Sequence, residues 1–370
     1  AESCPPDYCF PHQLEAVPAL QLAMKLKPSG ARAPYYLGNF WYHARQYHEA
    51  LECFEHSANL DDKFPTVFRN LALARFNKFD QYQQALSDME RAFKLDPSDA
   101  RILMELNQLY KKMNKPVDFR FRMLERYPEL VKGRDDLYLE KAELLILKKA
   151  YKKAYQWIMK RKFHPWEGGE GKVSGAYIAS LTGMAKEAIK NGRYREAIES
   201  LEKAKVFPEN LGEGKLQGAQ ENQLNYWLGS AYEDLGEAKN AQRAWEEGST
   251  GLSEPAAAWY YNDQQPDTIY YQGLSLLKLG DEKGAMSRFN KLIDYGEKHY
   301  FDDIKIDYFA VSLPDLQIWE DDLDRRNRIH CNYLMALGYL GRGNQKKAQE
   351  CFDAVLKDDT SHAGAMENAF

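Results

Sequence analysis

One short pattern recurs along this chain, and that recurrence restricts it to architectures built by stacking like units. A small residue is followed about a dozen residues later by an Ala, and one turn further on by an aromatic residue or Met. The clearest copies are Leu37-Gly38…Ala50…Phe54, Leu228-Gly229…Ala241…Trp245 and Gly273…Ala285…Phe289. Weaker copies centre on Ala85/Met89, Ala154/Ile158, Ala197/Leu201 and Ala348/Phe352, and the most degenerate is Leu106…Tyr110…Met123. The spacing predicts two antiparallel helices per copy. The small residues let the helices approach, and the large residue is expected to fill the space between repeats. Turn residues fall between the two helices at Asn191-Gly192, Gly236, Gly280-Asp281 and Gly343-Asn344, and Pro28, Pro97 and Pro208 close helix pairs.

A period near 34 residues with these residue types is the signature of the tetratricopeptide repeat (TPR). The expected fold is all-α: a right-handed superhelical solenoid of about eight helix pairs, in which each pair buries its apolar face against the next. Residues 31–64 make one repeat and 65–99 a second with one inserted residue. Residues 11–30 fit only the second half of a repeat, with Ala16, Leu20, Ala23 and Pro28 on its characteristic positions. The predicted organisation is a leading segment and half-repeat helix over 1–30, repeats one to three over 31–134, and repeats four to eight over 135–370 in one continuous solenoid. A repeat without its first helix is an unusual start, so the chain is expected to be a piece of a longer protein.

The net charge of −5 and pI near 6.0 leave no basic field for nucleic acid. No apolar run approaches the length of a membrane span. The five cysteines are odd in number and widely scattered, which argues against a disulfide framework and for a reducing compartment. A cytoplasmic location is the expectation. Cys4, Cys9 and His12 lack the second Cys pair of a structural zinc site, so neither metal nor cofactor is expected. The histidines form no catalytic arrangement: His43 and His48 lie five apart and His164 precedes a proline. No zincin or serine-hydrolase motif occurs.

The last four connections between repeats are long for such an array: Phe163–Lys172, Pro208–Leu216, Trp259–Asp267 and Asp307–Asp315. All four run from a second helix to the next first helix and are expected to crowd one rim of the superhelix, where rigid scaffolds commonly carry sites. Gly-Glu-Gly-Lys occurs twice, at 169–172 and 212–215. It reads either as a backbone cradle for an anion or sugar at a helix start, or as ordinary loop punctuation. It is not a nucleotide-binding loop, since Trp166 stands where the first Gly belongs and Val173 replaces the magnesium-holding hydroxyl. Acids and aromatics along the rim suggest a glycan site built from Trp166, Glu167, Glu170, Lys172, Glu213, Lys215, Asn262, Asp263, Asp307 and Asp315. Helix capping and surface cover explain the same residues.

First helices line the inner groove of a TPR superhelix. Their fifth position is Tyr in four repeats, at Tyr35, Tyr226, Tyr270 and Tyr333. This suggests an aromatic lining for an extended peptide, against the alternative of packing between helices. Asn39, Arg69 and Asn70 join Tyr35 as candidate groove residues. Asn39 and Asn70 fall on the two Asn positions of the clamp with which some TPR proteins grip acidic chaperone tails, and Arg101 could replace a Lys. Tyr35 stands where that clamp needs a Lys and Glu105 where it needs an Arg, so chaperone-tail binding is rejected.

The loop sequences Phe163–Lys172, Asn210–Leu216, Tyr261–Pro266 and Asp307–Asp315 go beyond a generic TPR. Together with Ala33-Pro34-Tyr35-Tyr36-Leu37-Gly38 and Arg134-Asp135-Asp136-Leu137-Tyr138, they resemble one family of large bacterial proteins of unknown function. Members of that family carry an N-terminal β-sandwich similar to galactose-mutarotase domains and a C-terminal TPR array. The resemblance covers essentially the whole chain and implies a setting in carbohydrate metabolism without supplying a reaction. The expected function is a non-enzymatic scaffold for a protein or peptide partner, which includes the family's own N-terminal domain. The alternative is part of a glycan-binding or glycan-processing assembly.

Overall fold

The computed structural model describes residues 6, 10–166, 168–258, 263–305 and 318–369. Among them the secondary structure is entirely helical, with nineteen α-helices and one short 3-10 turn. A single helix, α1 (Ala16–Leu26), comes first and packs on α2. Then follow, in the order of eight helix–turn–helix repeats, α2 (Arg32–His43) and α3 (Tyr47–Leu60), α4 (Pro65–Phe79) and α5 (Tyr82–Leu95), α6 (Ala100–Lys112) and α7 (Val117–Glu125). After a short α8 (Pro128–Gly133) come α9 (Asp135–Leu147) and α10 (Tyr151–Ile158), α11 (Lys172–Lys190) and α12 (Tyr194–Ala204), α13 (Asn222–Asp234) and α14 (Ala238–Gly248). The last pairs are α15 (Pro266–Lys278) with α16 (Glu282–His299) and α17 (Leu323–Gly341) with α18 (Gln345–Asp358), followed by a short α19 (Ala363–Asn368).

The chain divides into two compact units. Unit 1 is Ala1–Met113 with Leu313–Glu320, and unit 2 is Asn114–Ser312 with Asp321–Phe370. In unit 2 the C-terminal segment returns to its first turn: Asn114 Nδ2 donates to the Asp358 carbonyl at 3.1 Å, and Arg120 Nη1 to Ser361 Oγ at 3.1 Å.

The small-to-large pattern acts as an interlock. A Cβ placed on Gly38 would lie 2.6 Å from the Phe54 ring, one on Gly229 2.2 Å from Trp245, and one on Gly273 2.4 Å from Phe289. In these three repeats the large residue of the second helix therefore presses on the glycine of its own first helix, and so sits within a repeat and not only between repeats as the sequence suggests. Phe289 also reaches the following repeat, where a Cβ on Gly341 would come within 2.3 Å of its ring. One ring thus ties three helices.

Each of the eight turns inside a repeat holds one residue in the left-handed region: Arg45, Asp80, Asn114, Lys149, Gly192, Gly236, Gly280 and Gly343, with φ between 53° and 83°. This residue stops the first helix and turns the chain back. Glycine takes that conformation without the penalty of about 1–2 kcal/mol that a side chain incurs there. Four repeats nevertheless use another residue at this position.

Candidate functional site

In unit 1 the first helices α2, α4 and α6 form the face that lines the groove of such an array. A continuous polar chain crosses it. Asn70 Nδ2 donates to Asn39 Oδ1 at 2.7 Å and to the Tyr35 hydroxyl at 3.4 Å, and Arg69 Nη1 donates to Asn70 Oδ1 at 3.2 Å. The Arg69 fork then meets both oxygens of Glu105 at 2.6 Å each, and Arg101 Nε adds a third bond to Glu105 at 2.9 Å. Glu105 is fully buried. Burial alone would lower the Arg69 pKa, but the hydrogen bonds and charge of Glu105 outweigh it and raise the pKa above its ordinary value. Both arginines are therefore committed to an internal carboxylate, and Tyr35 is buried against Phe64. The four candidates Tyr35, Asn39, Arg69 and Asn70 do come together, as ties between first helices.

Two turns beyond Asn70 on α4 lies Asn77, on the same helix face. It holds a piece of polypeptide from far along the chain. Asn77 Nδ2 donates to the Ile318 carbonyl at 2.9 Å, and the Glu320 N–H donates to Asn77 Oδ1 at 3.0 Å. One side-chain amide thus satisfies the backbone on both sides of Trp319. The Trp319 indole is 2% exposed, packs edge-on against Phe76 at 5.1 Å, and donates its Nε1–H to the Glu105 carbonyl at 2.8 Å. Lys78 pairs with the Glu320 carboxylate, and Lys112 Nζ donates to the Glu320 carbonyl at 3.3 Å. Tyr42 on α2 bonds Asn77 from behind. Its hydroxyl pKa is raised by burial, an effect partly offset by that bond. Sequence reasoning did not single out Asn77, Phe76, Lys78 or Trp319. The available signal was the recurrence of Asn on α4 at the seven-residue step from Asn70 to Asn77.

In unit 2, Tyr270 and Tyr333 are buried and Tyr226 is partly buried. Tyr270 and Tyr226 pack against neighbouring aromatics, with Tyr271 close to both. Tyr333 donates its hydroxyl to Asp267 Oδ1 at 2.6 Å, at the wall of a cavity of about 410 Å³ that also borders Thr182, His330, His362 and Glu367. Burial raises the Asp267 carboxyl pKa, and the Tyr333 bond offsets part of that rise. Burial lowers the His330 pKa.

The described rim residues are mostly engaged in local structure. Trp166 packs on the unit 2 core, with its ring over Gly169. Glu213 accepts from the Gly171 N–H at 2.8 Å and the Ser174 N–H at 2.7 Å. The second Gly-Glu-Gly-Lys therefore supplies the carboxylate that caps the helix begun by the first, and α13 starts only at Asn222. Lys215 donates to the Lys205 carbonyl at 3.1 Å and pairs with Glu221. Glu170 and Lys172 are exposed, and Asp263 is partly buried. Glu167, Asn262, Asp307 and Asp315 lie outside the described residues, as do Cys4 and Cys9. Replacing Glu213 by Ala leaves two helix-start N–H groups without this acceptor, and a loss of about 1–2 kcal/mol is expected. Chemical denaturation of unit 2 checks it, and Glu213→Gln should recover part of the loss.

Among the described residues no group of side chains could hold a metal, and no helix is long and apolar enough to cross a membrane.

A tetratricopeptide-repeat family model matches residues 267–295, which span α15 and most of α16. Among solved structures, a TPR protein from Parabacteroides merdae is 14% identical, covers 71% of this chain and 92% of its own, and has a TM-score of 0.36. YrrB, described as a TPR protein with an unusual peptide-binding site, is 14% identical, with 50% and 90% covered and a TM-score of 0.38. The Naa15/Naa10 complex bound to HypK-THB is 13% identical, with 93% of this chain and 60% of that chain covered and a TM-score of 0.43. The matched repeat, the eight left-handed turns and the three glycine interlocks define a TPR-like helical-repeat protein.

Proposed function

We propose that the chain is a protein-interaction scaffold and that the first-helix face of unit 1 is a receptor for a non-helical stretch of polypeptide. The observation that supports this is the seat of Ile318-Trp319-Glu320, held through its backbone by Asn77 and through one buried indole. A side-chain amide that offers a donor and an acceptor side by side can engage the carbonyl and N–H that flank one residue, whatever the sequence. A single buried Trp supplies much of the affinity that such contacts can give. The partner is a polypeptide, whether a separate protein or an upstream region of the same one.

The glycan alternative, in which rim loops complete a carbohydrate site, has no comparable support. Glu213 and Lys215 are spent on a helix cap and an ion pair. No catalytic role is assigned to the chain.

Selection from a displayed library of random peptides, run on the purified chain and on its Trp319→Ala variant, tests the reading. Enriched peptides that bind at micromolar Kd by calorimetry are expected, the range of about −8 kcal/mol typical of single-groove recognition. A library that yields nothing above bare support on either protein would remove the scaffold reading.

A further inference from the structure

The seat of Trp319 is more selective than a generic peptide groove. From its geometry we infer that unit 1 carries a reader for a Trp followed by an acidic residue at a bend in non-helical chain, and that Ile318-Trp319-Glu320 is its resident, self-masking ligand. This rests on the scaffold reading and adds the chemistry of the partner and the reason the site is closed to it.

Three features set the specificity. The Asn77 amide bonds the Ile318 carbonyl and the Glu320 N–H, which fixes the backbone on both sides of one residue and leaves that residue's side chain pointing inward. The pocket beneath takes an indole: Phe76 meets the ring edge-on, and the Glu105 carbonyl accepts the Nε1–H. A Phe would fill the space and leave that carbonyl's bond unmade, so the pocket distinguishes Trp from other aromatics. Lys78 and Lys112 then stand at the next residue, one on its carboxylate and one on its carbonyl, which favours an acid there. The partner that fits is a protein segment with Trp-Glu or Trp-Asp in an unpaired, bent loop stretch.

The resident ligand is tethered, so it competes at an effective concentration on the order of millimolar. A micromolar partner is therefore held off until the tethered segment leaves. The site is built as a masked receptor, and emptying it in cis should reveal binding in trans.

The test uses an acetylated, fluorescein-labelled peptide Ile-Trp-Glu-Asp-Asp, the sequence of residues 318–322. Anisotropy is followed against the full chain and its variants, with circular dichroism confirming that each is folded. Trp319→Ala should bind the peptide at least tenfold more tightly than the unaltered chain. Adding Asn77→Ala to Trp319→Ala should cost at least tenfold. Peptides with Trp replaced by Phe or Ala, or Glu by Lys, should bind progressively less. Should Trp319→Ala fail to fold, Glu320→Lys keeps the indole and loosens the segment, and it should show the same unmasking to a smaller degree. Equal binding by masked and unmasked chains, or binding indifferent to Asn77, would overturn the inference. So would a dimer in the unaltered chain that becomes monomeric in Trp319→Ala, since the occupant would then be a second copy. Library peptides that lack Trp and ignore Asn77→Ala would sink this inference and leave the scaffold reading standing. An empty library would sink both.

Discussion

Replacing Glu105 by Ala is expected to destabilise unit 1 by about 3–5 kcal/mol, the cost of removing one partner from a buried ion pair. Glu105 is wholly buried and takes three guanidinium hydrogen bonds, two from Arg69 and one from Arg101. Arg101 is more than half exposed and can turn to water, but Arg69 retains only 15% of its side-chain exposure. Without Glu105 the Arg69 charge stays buried with nothing to balance it. The loss should therefore shrink sharply when Arg69 is removed as well, so that Glu105→Ala costs far less in an Arg69→Met background than in the unaltered chain. A urea titration of the four proteins forms the thermodynamic cycle, and a coupling energy above about 1.5 kcal/mol is expected for neighbours of this kind. Additive losses would mean that the pair does not act as a unit.

The second large effect is expected at Phe289. Truncation to Ala should cost about 3–5 kcal/mol, the range for a buried aromatic whose cavity cannot collapse. The reason for so little collapse lies in its neighbours. The Phe289 ring packs on Gly273 and Gly341, two positions where backbone approaches ring directly and no side chain of their own can swing in to fill the space. The same geometry predicts a sign reversal. Gly273→Ala places a methyl 2.4 Å from the ring and should destabilise the unaltered chain. In a Phe289→Ala background that methyl enters the vacated space and should be neutral or stabilising. Thermal melts of the two singles and the double decide it, and equal effects of Gly273→Ala in both backgrounds would contradict the interlock.

Much of this fold is legible in the sequence because the interlock needs particular residue types at fixed spacing. Gly38 and Phe54, Gly229 and Trp245, and Gly273 and Phe289 are all visible as pattern positions, although that each pair meets inside its own repeat appears only in the structure. The turns are half legible. Where glycine takes the left-handed residue, at 192, 236, 280 and 343, the break is visible; Arg45 and Lys149 take the same conformation with residue types that do not announce it. The site is less legible still. Tyr at the fifth position of the first helix says that an aromatic is needed, and not whether it faces ligand or core. Tyr35, Tyr270 and Tyr333 are buried. Likewise Glu213 looks like one more loop acid until the chain brings it to the N–H groups of Gly171 and Ser174. Trp319 and Asn77 lie 242 positions apart (319 − 77), and no local pattern links them. Their meeting belongs to tertiary structure alone.

The first-helix face of unit 1 holds polypeptide at Asn77, and the ion pair between Lys78 and Glu320 opens that seat to a direct measurement. Carbodiimide joins amine and carboxylate only where they already touch. Treating the purified chain with it, digesting, and sequencing the products by mass spectrometry should recover an isopeptide between Lys78 and Glu320. Its yield should fall in Asn77→Ala. If Glu320 is recovered unlinked or joined only to lysines elsewhere while other ion pairs such as Lys291 with Glu254 are captured, the segment does not occupy this face and the account of the site is contradicted.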